Sequence, residues 1–90
     1  MATIRVPYPG DPEHRRALFE RASAELARHG IYEGTPDGGR FQGRTPIGGL
    51  AGHYRSEPGS ETLEIVLTEK PWLVPTSLIE NEVRKFLAKV

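Results

Sequence analysis

The sequence predicts a two-layer α+β sandwich in which a four-stranded antiparallel sheet carries two helices on one face, in the chain order β-α-β-β-β-α. Two observations predict this class. Apolar residues recur with helical spacing in one segment near each end of the chain, and polar and apolar residues alternate in the segments between them. Such alternation is typical of a sheet with one face exposed to solvent, so both helices are expected on the other face.

The first strand is predicted over Thr3–Tyr8, with Arg5 on the face opposite the apolar side chains. Pro7 and Pro9 place this strand at an edge of the sheet or at a strand end, because proline cannot donate to a strand ladder. The face expected to contact the helices carries six apolar side chains from three strands: Ile4, Val6, Leu50, Tyr54, Leu63 and Ile65.

The first helix is predicted to begin with Asp11 as its N-cap and Pro12 in its first position, and to run to about His29. Its apolar stripe is Leu18, Ala22 and Leu26, with Phe19 at the edge of the stripe. Gly30 suits the left-handed position that follows many helix ends.

Three further strands are predicted over Arg40–Arg44, Leu50–Ser56 and Glu61–Glu69. Each follows a segment with turn chemistry: Gly34–Gly39, Thr45–Gly49 and Glu57–Ser60. Two prolines in Lys70–Pro75 end the last strand, and the amphipathic segment that follows forms the closing helix.

The segment Gly34–Gly52 holds seven of the ten glycines, and Gly38–Thr45 within it is one substitution short of a phosphate-binding loop, with Arg44 in the place of lysine. Such a loop needs a strand before it and a helix after it. Turn residues precede this segment, and Gly48-Gly49 follows it closely enough to prevent a helix from starting. The glycines therefore indicate turns and close packing, and no nucleotide site.

Composition predicts one ordinary soluble domain spanning residues 1–90. Twelve basic and twelve acidic side chains cancel, so the overall charge does not indicate a nucleic-acid or membrane partner. The chain has no cysteine, which excludes disulfides and thiolate chemistry. No apolar run approaches the length of a membrane span, and a cytoplasmic location is expected.

Several segments together resemble a known group of proteins. They are Phe41-Gln42-Gly43, Gly49–Tyr54, Leu63–Leu67, Lys70–Pro75 and Ile79-Glu80. They resemble small uncharacterised bacterial proteins with a Phe-x-Gly strand, a glycine-rich strand, a Lys-Pro-aromatic-hydrophobic-Val-Pro junction and a closing amphipathic helix. More distantly, the order is similar to that of small proteins of the polyhydroxyalkanoate granule system. The resemblance covers most of the chain and implies the fold, but it implies no catalytic residue.

Catalytic and metal-binding clusters are not predicted. His14 and His29 belong to one helix but lie about 22 Å apart at 1.5 Å per residue, so they cannot share a metal ion. Serines accompany His53, but no nucleophile elbow surrounds any of them. We therefore expect a protein that has no cofactor and that acts by binding and not by catalysis.

The open face of the sheet is the first candidate binding surface. It is expected to carry Arg5, His53, Arg55, Glu64 and Thr68, joined by Arg40 and Arg44 if Phe41 and Gly43 point inward. A local basic patch of this kind fits an anionic partner. The alternative is a solvated face whose arginine stems cover apolar neighbours.

Trp72 offers two further possibilities. It either plugs the end of the core or, with its apolar neighbours, forms a ridge for a homodimer or a protein partner. The predicted function is a non-enzymatic binding or interaction module that uses the open face or the Trp72 junction. The alternative is a small-ligand protein or enzyme with a pocket between the last helix and the sheet, lined by Tyr54, Trp72 and Phe86, with Gly43, Gly49 and Gly52 making room.

Overall fold

Alternating strands and two amphipathic helices build the α+β architecture that the sequence predicts, with one more strand than expected. A computed structural model describes residues 2–28, 30–45, 48–71 and 73–88. Its elements, in chain order, are β1 (Ala2–Pro7), α1 (Pro12–Leu26), β2 (Gly30–Thr35), β3 (Gly38–Thr45), β4 (Gly48–Arg55), β5 (Thr62–Glu69) and α2 (Thr76–Ala88).

The sheet is antiparallel throughout and has the strand order β1-β5-β4-β3-β2. The predicted class, an antiparallel sheet with two helices, is confirmed. The predicted count of four strands and the order β-α-β-β-β-α are wrong, because the described residues form five strands in the order β-α-β-β-β-β-α. The edge position expected for the first strand is confirmed, since β1 pairs with β5 alone.

The additional strand is β2, which occupies residues expected to end the first helix and form a turn. The helix α1 stops at Leu26 with Ala27 as its C-cap, and Gly30 pairs with Gly43 instead of ending the helix. The alternation of apolar and polar residues in β2 is short, because Gly30 and Gly34 leave only three residues between them. Pairing with β3 is favoured over a turn because it places Tyr32 on the core side of the sheet. His29 lies outside the described residues.

Glycine is required at Gly34, where φ is +146° and a Cβ atom would collide with the backbone of Gly38 and Gly39. This close approach lets the β2–β3 hairpin bend sharply. The segment that resembles a phosphate-binding loop is the strand β3, paired on both sides, so the rejection of a nucleotide loop is confirmed.

The inner face of the sheet forms the core. Ile4 and Val6 of β1 alternate with exposed neighbours, and the buried residues of β5 alternate with half-buried ones. The buried apolar residues are Ile4, Val6, Tyr8, Leu18, Tyr54, Leu63, Ile65 and Leu67. Each such side chain stabilises the fold by about 2 kcal/mol relative to its exposed state. All inward positions expected from the sequence lie on this face, although Leu50 is only half-buried.

Arg15 of α1 is a charged residue inside this core, with 2% of its surface exposed. All three guanidinium nitrogens donate hydrogen bonds, and the ring of Tyr8 lies 4.9 Å below the guanidinium carbon. The acceptors are Pro9 O (2.7 Å), Asp37 Oδ1 (2.9 Å), Ser56 O (3.3 Å), Ser56 Oγ (2.8 Å), Glu57 O (3.1 Å) and Ser60 O (2.6 Å). One side chain thus joins α1 to the β2–β3 turn and the β4–β5 connection.

Replacing Arg15 with methionine is expected to lower the free energy of unfolding by about 3 kcal/mol, because partly buried carbonyls lose their donor. Urea denaturation followed by circular dichroism measures this loss. The exposed neighbour Arg16 provides the control, since Arg16→Met is expected to change stability by less than about 0.5 kcal/mol. Equal effects at the two positions would contradict the anchoring role of Arg15.

Candidate functional site

An apolar groove of about 790 Å³ lies between the two helices, with the inner face of the sheet as its floor. We call it the interhelical groove. Its floor consists of Tyr32, Phe41, Leu50, Tyr54, Ile65 and Leu67, and its helical walls include Phe19 and Ala22 of α1 and Leu78, Ile79, Val83 and Phe86 of α2.

The groove exists because the two helices lie over opposite edges of the sheet. The helix α1 packs against β2 and α2 packs against β1, and these are the two outermost strands. Neither helix packs as extensively against the three central strands. As a result, the apolar side chains of α2 that point inward are only half-buried, including Ile79, Val83, Phe86 and Leu87.

Gly49 and Gly52 do not enlarge this groove, contrary to the expectation that glycines make room for a ligand. A Cβ atom at Gly52 would lie 2.9 Å from Cζ of Phe41, so the phenyl ring already covers this glycine. Gly49 faces the carboxylate of Glu69, on the opposite side of the sheet. Gly43 lies opposite Leu50 on the inner face.

Aromatic rings form one side of the groove. The ring centroids of Phe19 and Tyr32 are 5.5 Å apart, and those of Tyr32 and Tyr54 are 5.6 Å apart in a stacked arrangement. The Tyr54 hydroxyl donates to Thr35 O at 2.7 Å, and that of Tyr8 donates to Pro36 O at 2.7 Å. The aromatic side of the groove is therefore tied to the β2–β3 turn.

The three tyrosines stay neutral well above physiological pH. Burial raises the pKa of Tyr8 to about 12, although the Arg15 charge partly opposes this. Burial also raises the pKa of Tyr54, and burial together with a hydrogen-bonding interaction with Tyr54 raises that of Tyr32. Charged side chains lining the groove are exposed at its mouth: Arg21, Glu25 and Glu82.

Two of the three predicted pocket residues line the groove. Tyr54 and Phe86 both line the groove, from the floor and from the α2 wall. Trp72, which was expected to line the pocket or form a docking ridge, lies outside the described residues. The groove also differs from the predicted pocket in that both helices enclose it, and not the last helix alone.

The five predicted cations do share the open face of the sheet. Arg5 is bound to Glu64 at 3.1 Å, and Arg40 is bound to Glu33 at 3.0 Å. Among the described residues no ion-pair partner is found for Arg44, His53 or Arg55, although Arg55 lies opposite Glu64 in the register. Carboxylates thus interrupt the basic patch that the sequence suggests.

Other kinds of site receive no support from the described parts of the chain. No three potential metal ligands gather there, and His14 contacts the N-cap residue Asp11. No described helix has the length and apolar character needed to cross a membrane. Comparison of the chain with models of known families, with curated proteins and with solved structures finds no match.

The sequence alone did not reveal Arg15 or Tyr32 as contributors to this region, whereas Phe19 was expected at the edge of the apolar stripe of α1. In the sequence, Arg15 is one of several basic residues in a charged helix, and nothing distinguishes it from the others. Tyr32 lies in β2, the strand that was not predicted because glycines interrupt it. A signal was present for Tyr32 in the run Ile31-Tyr32-Glu33, which alternates over three residues between glycines.

Stability is expected to fall as the pH rises from about 10 to about 12, because folding favours the neutral form of Tyr8. Its pKa is raised in the folded state, so its contribution is fully present below pH 10 and is lost as the pH approaches 12. Urea denaturation at a series of pH values measures the decline.

The variant Tyr8→Phe is the control for this titration. It loses the hydrogen bond to Pro36 at every pH, but the part of the decline between pH 10 and 12 that belongs to Tyr8 should disappear. A decline as steep in Tyr8→Phe as in the wild type would show that Tyr8 is not responsible.

Proposed function

We propose that this protein is a non-enzymatic binding protein whose interhelical groove holds a small apolar ligand. One observation carries the proposal: the groove of about 790 Å³ lies between helices placed at opposite sheet edges. Small-molecule sites typically occupy about 300–1,000 Å³ and are lined mainly by apolar and aromatic side chains. The groove meets both criteria.

The energetic case rests on the apolar surface that faces water in the groove. Protein interiors are normally packed as densely as organic crystals. Here Leu78 at the groove mouth is 48% exposed, and the inward face of α2 is only half-buried. A ligand that removed this surface from water would gain about 25 cal/mol for each Å² buried.

Saturable binding of the neutral fluorescent probe N-phenyl-1-naphthylamine tests this function. The probe is expected to bind in a 1:1 complex with enhanced, blue-shifted emission. The substitution Ala22→Trp should weaken binding by about tenfold or more, because the indole would fill space between α1 and the floor.

The matched control is Ala24→Trp, which places the same side chain on the exposed side of α1. It should bind the probe as the wild type does. Absence of saturable binding, or equal binding by both variants when both are folded, would refute the groove as a ligand site. A dimer that covers the groove would instead appear in light scattering and dissociate as the probe binds.

The unpaired cations of the open face support a second candidate, which is binding of an anionic partner there. Arg44 and Arg55 lie on this face without an ion-pair partner among the described residues. Exposed arginines of this kind attract anions in a salt-dependent manner.

Retention on a sulfated polysaccharide column tests the second candidate. The double substitution Arg44→Gln and Arg55→Gln should lower the salt concentration needed for elution. The control is Arg16→Gln with Arg28→Gln, which removes the same charge from exposed positions on and just beyond α1. If both pairs elute at the same salt concentration, net charge explains retention and the open face has no special role.

A further inference from the structure

We propose that the ligand of the interhelical groove is uncharged along its buried length and carries a hydroxyl group that donates a hydrogen bond to the Tyr32 oxygen. This inference rests on the proposed ligand-binding function and specifies the chemical class of the ligand. It follows from which polar atoms line the groove and which of them are already engaged.

Two of the three phenols that line the groove are committed to the fold. The Tyr8 and Tyr54 hydroxyls each have one proton, and each donates it to a backbone carbonyl at 2.7 Å. Tyr32 lines the same groove with its ring between Phe19 and Tyr54. Its hydroxyl forms a hydrogen bond with that of Tyr54, and because the Tyr54 proton goes to Thr35 O, the Tyr32 hydroxyl is the donor of this pair.

The Tyr32 oxygen therefore retains capacity as a hydrogen-bond acceptor. A phenol oxygen offers one donor and two acceptor positions, and the Tyr54 oxygen takes the donor. Burial raises the pKa of Tyr32, so the hydroxyl stays neutral at physiological pH. A ligand hydroxyl, which can donate to this oxygen, is a matching partner.

The distribution of charge argues against a buried ionic group on the ligand. The charged lining residues Arg21, Glu25 and Glu82 are exposed at the mouth, and Glu82 is also 3.7 Å from Lys85. The buried cation Arg15 already donates to Asp37, Ser56 and three other backbone carbonyls. A carboxylate or ammonium group inside the groove would lose its hydration without gaining a counter-ion.

Displacement of N-phenyl-1-naphthylamine by ligands of equal chain length tests the inference. At pH 8, 1-decanol and methyl decanoate should displace the probe at concentrations about tenfold lower than decanoate. The substitution Tyr32→Phe should weaken decanol binding by about fivefold, because one hydrogen bond is lost. It should leave unchanged the binding of naphthalene, which has no hydrogen-bonding group.

The matched control is Thr3→Val, which removes an exposed hydroxyl of β1 that lies outside the groove. The ratio of its affinities for decanol and naphthalene should equal that of the wild type. Equal displacement by decanol and decanoate, or unchanged decanol binding in Tyr32→Phe, would overturn the inference. Either result, with the probe still bound and still sensitive to Ala22→Trp, leaves the proposed function standing. Loss of all probe binding would overturn both.

Discussion

The guanidinium of Arg15 holds together the end of the molecule where the chain connections meet, and the position of α1 depends on it. From one turn of α1 it reaches the Pro9 carbonyl, the Asp37 carboxylate and the β4–β5 connection. Removing a charge from water is costly, and this one is compensated by acceptors for all three of its nitrogens and by the face of Tyr8. The arrangement joins segments that are distant in sequence, and it places α1 over the β2 edge of the sheet.

The helix α2 shows no comparable polar anchor within its described residues. Its link to the sheet is apolar packing on β1, supported by one hydrogen bond from Arg84 to the Arg5 carbonyl at 3.3 Å. The two helices therefore differ: α1 is tied to the loops by a buried charge, whereas α2 rests on half-buried side chains. The interhelical groove lies between them, and burial of a ligand would add to the contacts of the less anchored helix.

The two faces of the sheet have contrasting chemistry, and this contrast separates the two candidate functions. The inner face presents tyrosine and phenylalanine rings with aliphatic side chains, and the charged side chains that line the groove are exposed at its mouth. The open face presents arginines, of which Arg5 and Arg40 are paired with glutamates. Exposed ion pairs contribute little to stability, so the open face is well suited to remain in water. The apolar groove is costly to leave solvated, which favours it as the binding site.

The sequence by itself determined the strands that alternate, the start of α1 at Asp11 and Pro12, and the sorting of Ile65 and Arg5 onto opposite faces, because periodicity and capping are local properties. Tertiary structure alone decided that Gly30–Thr35 is a strand, since glycines leave little side-chain pattern and pairing with β3 supplies the missing information. It also decided the burial of Arg15, whose acceptors come from separate loops, and the width of the groove. That width follows from which edge strand each helix covers, and spacing along the chain does not encode the distance between two helices.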